Sequence, residues 1–177
     1  MFKDLVQTKI RIPPLRRQVI GRSRLVQRLD AAKNQKLTLV SAPAGFGKTT
    51  LLADWAESQP QDMAWLSLDA EDNDLISFWT YFVAAIQNVY PNIGFSAMQM
   101  LQSPSGIPVK AVVKTLINEI FEKQESVVLV LDDFHQIEED AVCMIFKFFI
   151  DYMPHNMHLV VASRHELPFS LGRLKIQ

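Results

Sequence analysis

Cysteine is almost missing from this chain of 177 residues, with Cys143 standing alone. No intramolecular disulfide can form, and with no cleavable signal pattern at the N-terminus the expected setting is a reducing cytoplasm. Cys143 lies in an apolar, helix-compatible stretch, where a lone thiol reads as a small core residue. An excess of either charge is missing too, since 18 Lys and Arg face 19 Asp and Glu for a net charge of -1. That balance leaves no global pull toward nucleic acid or an anionic membrane. Long apolar runs are lacking: the nearest to a membrane span, Met144 to Met153, is broken by Lys147 and Asp151. Internal repeats and low-complexity tracts are absent. Glycine is sparse, six in all, and two of the six, Gly45 and Gly47, sit almost side by side.

What is present suits one well-buried domain and is too little for two, with 49% hydrophobic and 21% charged residues. Ile12-Pro13-Pro14 cannot be helical at its centre, so residues 1–18 read as an extended N-terminal arm and residues 19–177 as the domain. A basic bias near the start (Arg11, Arg16, Arg17, Arg22, Arg24, Arg28) reads first as a solvated face, then as a nucleotide contact, and last as a nucleic-acid contact. The spacing predicts a helix near Ser23 to Ala32 with Ser23 as N-cap, and short apolar strands at Leu37 to Ser41, Met63 to Leu68 and His158 to Ser163. An acid-rich loop, Asp69 to Asp74, leads into a helix from Leu75 to Val89 capped by Asp74. That helix is apolar nearly all round, and its aromatics read as core, with a base-stacking platform as the alternative. Pro91 to Pro108 reads as an irregular surface connection. Helical spacing resumes at Val109 to Phe121 and again from Glu139 to Tyr152. Short strands alternating with helices predict an α/β fold, a mainly parallel sheet covered on both faces.

Ala42-Pro43-Ala44-Gly45-Phe46-Gly47-Lys48-Thr49, followed by Thr50, stands between a strand-like run and a helix-like run, where a phosphate-binding loop belongs. Gly45 and Gly47 permit a tight turn whose N–H groups converge on a polyphosphate at the positive end of the next helix. Lys48 would reach the β and γ phosphates, and Thr49 would ligate Mg2+. Ala42 replaces the usual first glycine of the pattern, a variant the motif accepts. The bland alternative is a glycine-rich turn bearing a surface lysine.

Ser126 to Phe134 (SVVLVLDDF) places five aliphatic residues before Asp132 and Asp133, as in a buried strand delivering acids to its C-terminal end. Asp132 would hold Mg2+ through its water shell, and Asp133 would orient or activate an attacking water. Helix capping or a turn is the plainer use of both.

APAGFGKTT, WLSLDAEDND, LDDFH and VVASR, in that order, resemble the N-terminal nucleotide-binding domain of MalT-like, LuxR-type transcriptional regulators, which belong to the STAND class of P-loop ATPases. The resemblance runs from about Thr8 to Leu171. It implies a P-loop NTPase three-layer sandwich that binds ATP or ADP with Mg2+ and lacks its last strand and lid. It also implies that Ile20-Gly21-Arg22 lies against adenine, with Arg22 a base contact, and that Arg164 is the sensor approaching the γ phosphate. A loop-end ion pair is the alternative for Arg164. His135, following the paired acids, would sense phosphate charge or serve as a structural histidine. Asp69 would order water or metal, although a turn or cap suits it better.

In that family a winged-helix segment, a helical-repeat sensor and a C-terminal DNA-reading domain follow, and relative to it residues 19–177 are C-terminally incomplete. The expected role is therefore an ATP-binding switch with slow Mg2+-dependent hydrolysis, whose protein partners are regulatory domains outside this chain. Nucleotide-dependent self-association is a further expectation, and neither direct DNA binding nor a membrane is. The competing readings are a non-catalytic module that retains nucleotide for its integrity and an AAA-type remodelling or loading ATPase.

Overall fold

Runs of Val and Leu too long to be half-exposed dictate strands buried on both faces. A computed structural model, describing residues 5–15, 22–59, 63–123 and 125–169, contains such strands. They are β1 (Leu37–Ser41), β2 (Ala64–Ser67), β3 (Val127–Asp132) and β4 (Met157–Ser163). Every neighbouring pair is parallel, in the order β1-β4-β3-β2. The register aligns Leu37, Leu159, Leu129 and Ala64 in one row across the sheet, and Leu39, Val161, Leu131 and Leu66 in another.

Because side chains alternate along a strand, those rows share a face. Helices α1 (Ser23–Ala31) and α2 (Lys48–Glu57) cover the opposite one, where Leu29, Leu52 and Trp55 pack on Trp65, Val128, Val130 and Val160. Helices α3 (Leu75–Val89), α4 (Phe95–Leu101), α5 (Val109–Phe121) and α6 (Asp140–Tyr152) belong with the leucine rows in a larger core. The expected three-layer α/β sandwich is thus present. In the larger core Phe78 meets Phe146 at 5.8 Å between ring centroids and Phe82 meets Phe149 at 5.0 Å. The α3 aromatics are core.

The two edges of the sheet differ. β2 is buried along Ala64, Trp65 and Leu66, whereas β1 is only half-buried and ends exposed at Ser41. Near β2 the N-terminal segment forms a 3-10 turn, Gln7–Ile10, that sinks Ile10 to 1% exposure. The arm is therefore not wholly extended, because Ile10 has an apolar surface to cover and Lys9 has acids to meet. Lys9 Nζ lies 2.7 Å from Asp72 Oδ2 and 3.0 Å from Asp69 Oδ2. Burial pushes the Asp72 carboxyl up and pulls the Lys9 ammonium down, but hydrogen bonds to Asp72 and Asp69 leave Lys9 above its ordinary value.

Two further expectations need correction. Pro91 to Pro108 is not simply an irregular surface connection, since it contains α4 and buries Ile93, Ala97 and Met98. Gly94 makes this bend: it adopts φ +79°, and a Cβ there would stand 2.7 Å from Val83 Cγ1. Ser23 is the first helical residue of α1 and not its cap; Arg22 holds the cap position, with no side-chain capping bond. Asp74 does cap α3, accepting from the Ser77 N–H at 2.7 Å.

All strands being parallel, their C-terminal ends meet along one edge. The segments after β1, β2, β3 and β4 begin at Ala42, Leu68, Asp133 and Arg164. An α/β sheet places its ligand crevice there.

Candidate nucleotide-binding site

The segment after β1 stays tied to β4, the Ala42 N–H donating to the Ser163 carbonyl at 3.3 Å, and then turns sharply. Gly45 takes φ +81°, and Gly47, with φ +72° and ψ 37°, is the left-handed residue from which α2 starts. No side chain caps that helix. Its first N–H groups face the loop at the positive end of the dipole, an arrangement that receives anions.

Lys48 opens α2 and is 8% exposed. Its ammonium donates to the Ala42 carbonyl at 2.7 Å and the Pro43 carbonyl at 3.3 Å, which folds the side chain back across its own loop. An ammonium has three donors, so one is left to point elsewhere. Arg22 joins from outside the loop, donating to the Phe46 carbonyl at 2.7 Å, with its Nη2 3.5 Å from where a Cβ on Gly47 would be. Arg22 thus stands beside the loop. Ile20 and Gly21 lie outside the described residues. Phe46 is 59% exposed at the loop tip, and Thr50 is in the first turn of α2.

The strand ends bring the acids in. Asp132 closes β3 at 2% exposure, near the Thr49 side chain and accepting from the Asp133 N–H at 3.0 Å. Burial pushes its carboxyl above the usual range, more than the nearby Thr49 hydroxyl lowers it. Thr49 and Asp132 together offer adjacent hard oxygen ligands at the foot of the loop. Among the described residues no three His, Cys, Asp or Glu side chains cluster as a metal site. A Mg2+ here would take its remaining ligands from water and phosphate oxygens, in keeping with its preferences. The residues present fit such an ion.

Asp133 has φ 57° and ψ 38°, the one left-handed residue other than glycine among those described. Aspartate is among the side chains that tolerate this region best, and non-glycine residues held there gather at functional sites. The 3-10 turn Phe134–Gln136 follows, fixed by two anchors. Phe134, 1% exposed, packs on Phe146 at 4.7 Å, and the Asn73 amide bonds the Gln136 carbonyl and the Glu138 and Glu139 N–H groups at 2.8, 2.8 and 2.9 Å. Asn73 was not foreseen. Its partners lie about sixty residues further along the chain, so no local pattern marks it.

Arg164 stands exposed just after β4 and forms no ion pair with a described acid. It is close enough to His135 to disfavour the protonated imidazole. The structure thus gathers Lys48, Thr49, Asp132, Asp133, His135 and Arg164 about one end of the sheet. Asp69 is employed otherwise, accepting from the Glu71 N–H at 3.0 Å and pairing with Lys9. Its expected capping use is present.

The AAA ATPase domain family matches residues 18–161. The chain is 35% identical over 173 residues to the HTH-type transcriptional regulator MalT of Yersinia enterocolitica and 33% identical to MalT of Klebsiella pneumoniae. Each match takes in 98% of this chain but only 19% of the regulator. In fold, 86% of the chain superimposes on 41% of the Cdc6p chain from Pyrobaculum aerophilum, with a TM-score of 0.55 at 16% identity.

Proposed function

This chain belongs to the AAA ATPase domain family, and from that premise we propose that it is the ATP-binding switch unit of a MalT-like transcriptional regulator, turning over ATP slowly with Mg2+. The observation that supports it best is an uncapped helix N-terminus carrying Lys48, with Asp132 buried at the end of strand β3. One feature receives phosphate and the other receives the metal that accompanies it. In this reading the loop Ala42 to Thr49, which completes a Walker A motif of the STAND type, cradles the phosphates. Lys48 turns its remaining donor to the β and γ phosphates, and Thr50 lends its helix-start N–H. Thr49 and Asp132 hold Mg2+, which when bound neutralises charge on the phosphate oxygens. Asp133 orients the attacking water, and Arg164 offers a planar fork of donors to the γ phosphate. Arg22, lying against the loop, extends toward the base.

Switching belongs to a whole regulator, and this chain spans 19% of the length of the MalT relatives it matches. Occupancy of the terminal-phosphate position would bias how further domains close over the crevice, in a cytoplasmic protein that binds DNA through a part other than this chain. Release of inorganic phosphate from ATP tests the hydrolytic half. The expected result is slow turnover that requires Mg2+ and disappears in Lys48→Ala and in Asp133→Asn. Tight binding without any Lys48-dependent turnover would instead establish a non-catalytic module that keeps nucleotide as part of its core.

A further inference from the structure

Among the described residues no hydrogen bond holds the Asp133 carboxylate. Its side chain is 42% exposed, and His135 Nδ1 stands 3.7 Å from Oδ1, beyond hydrogen-bond reach. The direction of the carboxylate is therefore set by the backbone of Asp133, left-handed at φ 57° and ψ 38°. A residue other than glycine stays there when its flanks are held.

Both flanks are held. On the strand side Asp132 accepts twice at 3.0 Å, from the Leu68 N–H through its carbonyl and from the Asp133 N–H through Oδ1. On the other side the Asp133 carbonyl accepts from the Gln136 N–H at 3.0 Å, which closes the turn Phe134–Gln136. The far end of that turn hangs on one side chain, Asn73. Its Nδ2 donates to the Gln136 carbonyl at 2.8 Å and to the Ala70 carbonyl at 3.1 Å, while Oδ1 accepts from the N–H groups of Glu138 and Glu139 at 2.8 and 2.9 Å. A carboxamide has two hydrogens to donate and two lone pairs to accept with, and all four are used. The Ala70 bond lies within Asn73's own turn; the other three reach 63 to 66 residues along the chain and converge on the loop that starts at Asp133. Asn73 is anchored in its turn by Asp72, wholly buried, which accepts from the Asp69 N–H at 2.9 Å and from Lys9 Nζ at 2.7 Å.

Resting on the reading above, in which Asp133 orients the attacking water, we propose that Asn73 is a positioning residue for ATP hydrolysis, fixing the loop that aims the Asp133 carboxylate while touching neither nucleotide nor water. Without it the turn loosens and the carboxylate swings away, but the phosphate cradle on β1 and α2 is unaltered. The signature is a lowered kcat with nucleotide binding preserved.

Phosphate release from MgATP by the 177-residue chain, with calorimetric titration of the β,γ-imido analogue to count binding sites, tests this on wild type, Asn73→Ala, Asn73→Asp, Asn156→Ala and Asp133→Asn. In Asn73→Ala, kcat per binding site is expected to fall about tenfold or more, with KM and analogue affinity within about twofold of wild type. Asn73→Asp keeps the acceptor for Glu138 and Glu139 but has no hydrogen for Gln136, so its kcat falls as well, and it carries the test if the alanine variant does not fold. Asn156 is the control for stability alone: its amide clamps the Ile120 and Lys123 carbonyls at 2.8 and 2.7 Å at the opposite end of the sheet, and Asn156→Ala keeps the wild-type kcat per site. Unchanged kcat in the Asn73 variants, affinity lost in step with kcat, or an equal fall of kcat in Asn156→Ala overturns the proposal. A wild type that binds without turnover, or turnover that survives in Asp133→Asn, overturns the hydrolytic reading itself; turnover lost in Asp133→Asn and kept in the Asn73 variants overturns this proposal alone.

Discussion

Lys9 shows what one residue far from the crevice does for it. Its ammonium neutralises Asp72, whose side chain is wholly buried, and so holds the acid-rich turn after β2 from which Asn73 reaches the His135 turn. Removing one partner of a buried pair strands the other, so Lys9→Ala should lower unfolding free energy by about 3 to 5 kcal/mol in urea titrations. The pH dependence has a definite sign. Asp72 already binds its proton more tightly folded than unfolded, and losing Lys9 strengthens that tendency. A raised folded pKa adds stability as pH falls, so the gap between Lys9→Ala and wild type should narrow from neutral pH toward the carboxylate range. A gap that widens on acidification would mean that Asp72 is not the stranded charge. None of this was legible beforehand. Lys48, Thr49 and Asp132 announce themselves through local spacing and a strand end, but Lys9 and Asp72 lie 63 positions apart, and no local pattern joins the acid-rich loop to Lys9. Asp69 and Asp74 were legible as caps because capping is a contact within a few residues.

At the scale of elements, strands and long helices followed from periodicity, while α4 did not. Its seven residues lie between Pro91 and Pro108 in a stretch whose Gly, Ser and Pro imitate a loop, and tertiary burial of Ala97 and Met98 prevails over that local signal. The order β1-β4-β3-β2 was likewise hidden, since periodicity says that strands exist and not which neighbours they choose. The order has a measurable consequence. β3 is flanked by β4 and β2 and buried throughout, whereas β1 pairs with β4 alone among the described strands and is half-exposed. Native-state hydrogen exchange should find the slowest amides in β3 and β4 and, among the strands, the fastest in β1. Protection of β1 equal to that of β3 would show that another segment covers the edge.

Across the whole molecule, the near-zero net charge and the clustered polar residues at the strand ends tell one story. The chain has no long-range attraction to a polyanion, and its cations near the crevice, Lys48, Arg22 and Arg164, are placed one by one around the loop. A ligand bound only by the folded form adds stability that grows with the logarithm of its concentration above Kd, which joins the site's chemistry to the stability of the fold. The central claim is that Ala42 to Thr49 is a nucleotide-phosphate cradle, and calorimetric titration of MgATP into wild type and Lys48→Ala tests it most directly. One saturable site is predicted, weakened in the variant by about 1.5 to 3 kcal/mol, the worth of a charge-assisted hydrogen bond. Equal affinity in the two proteins, or no binding by the wild type, would contradict it.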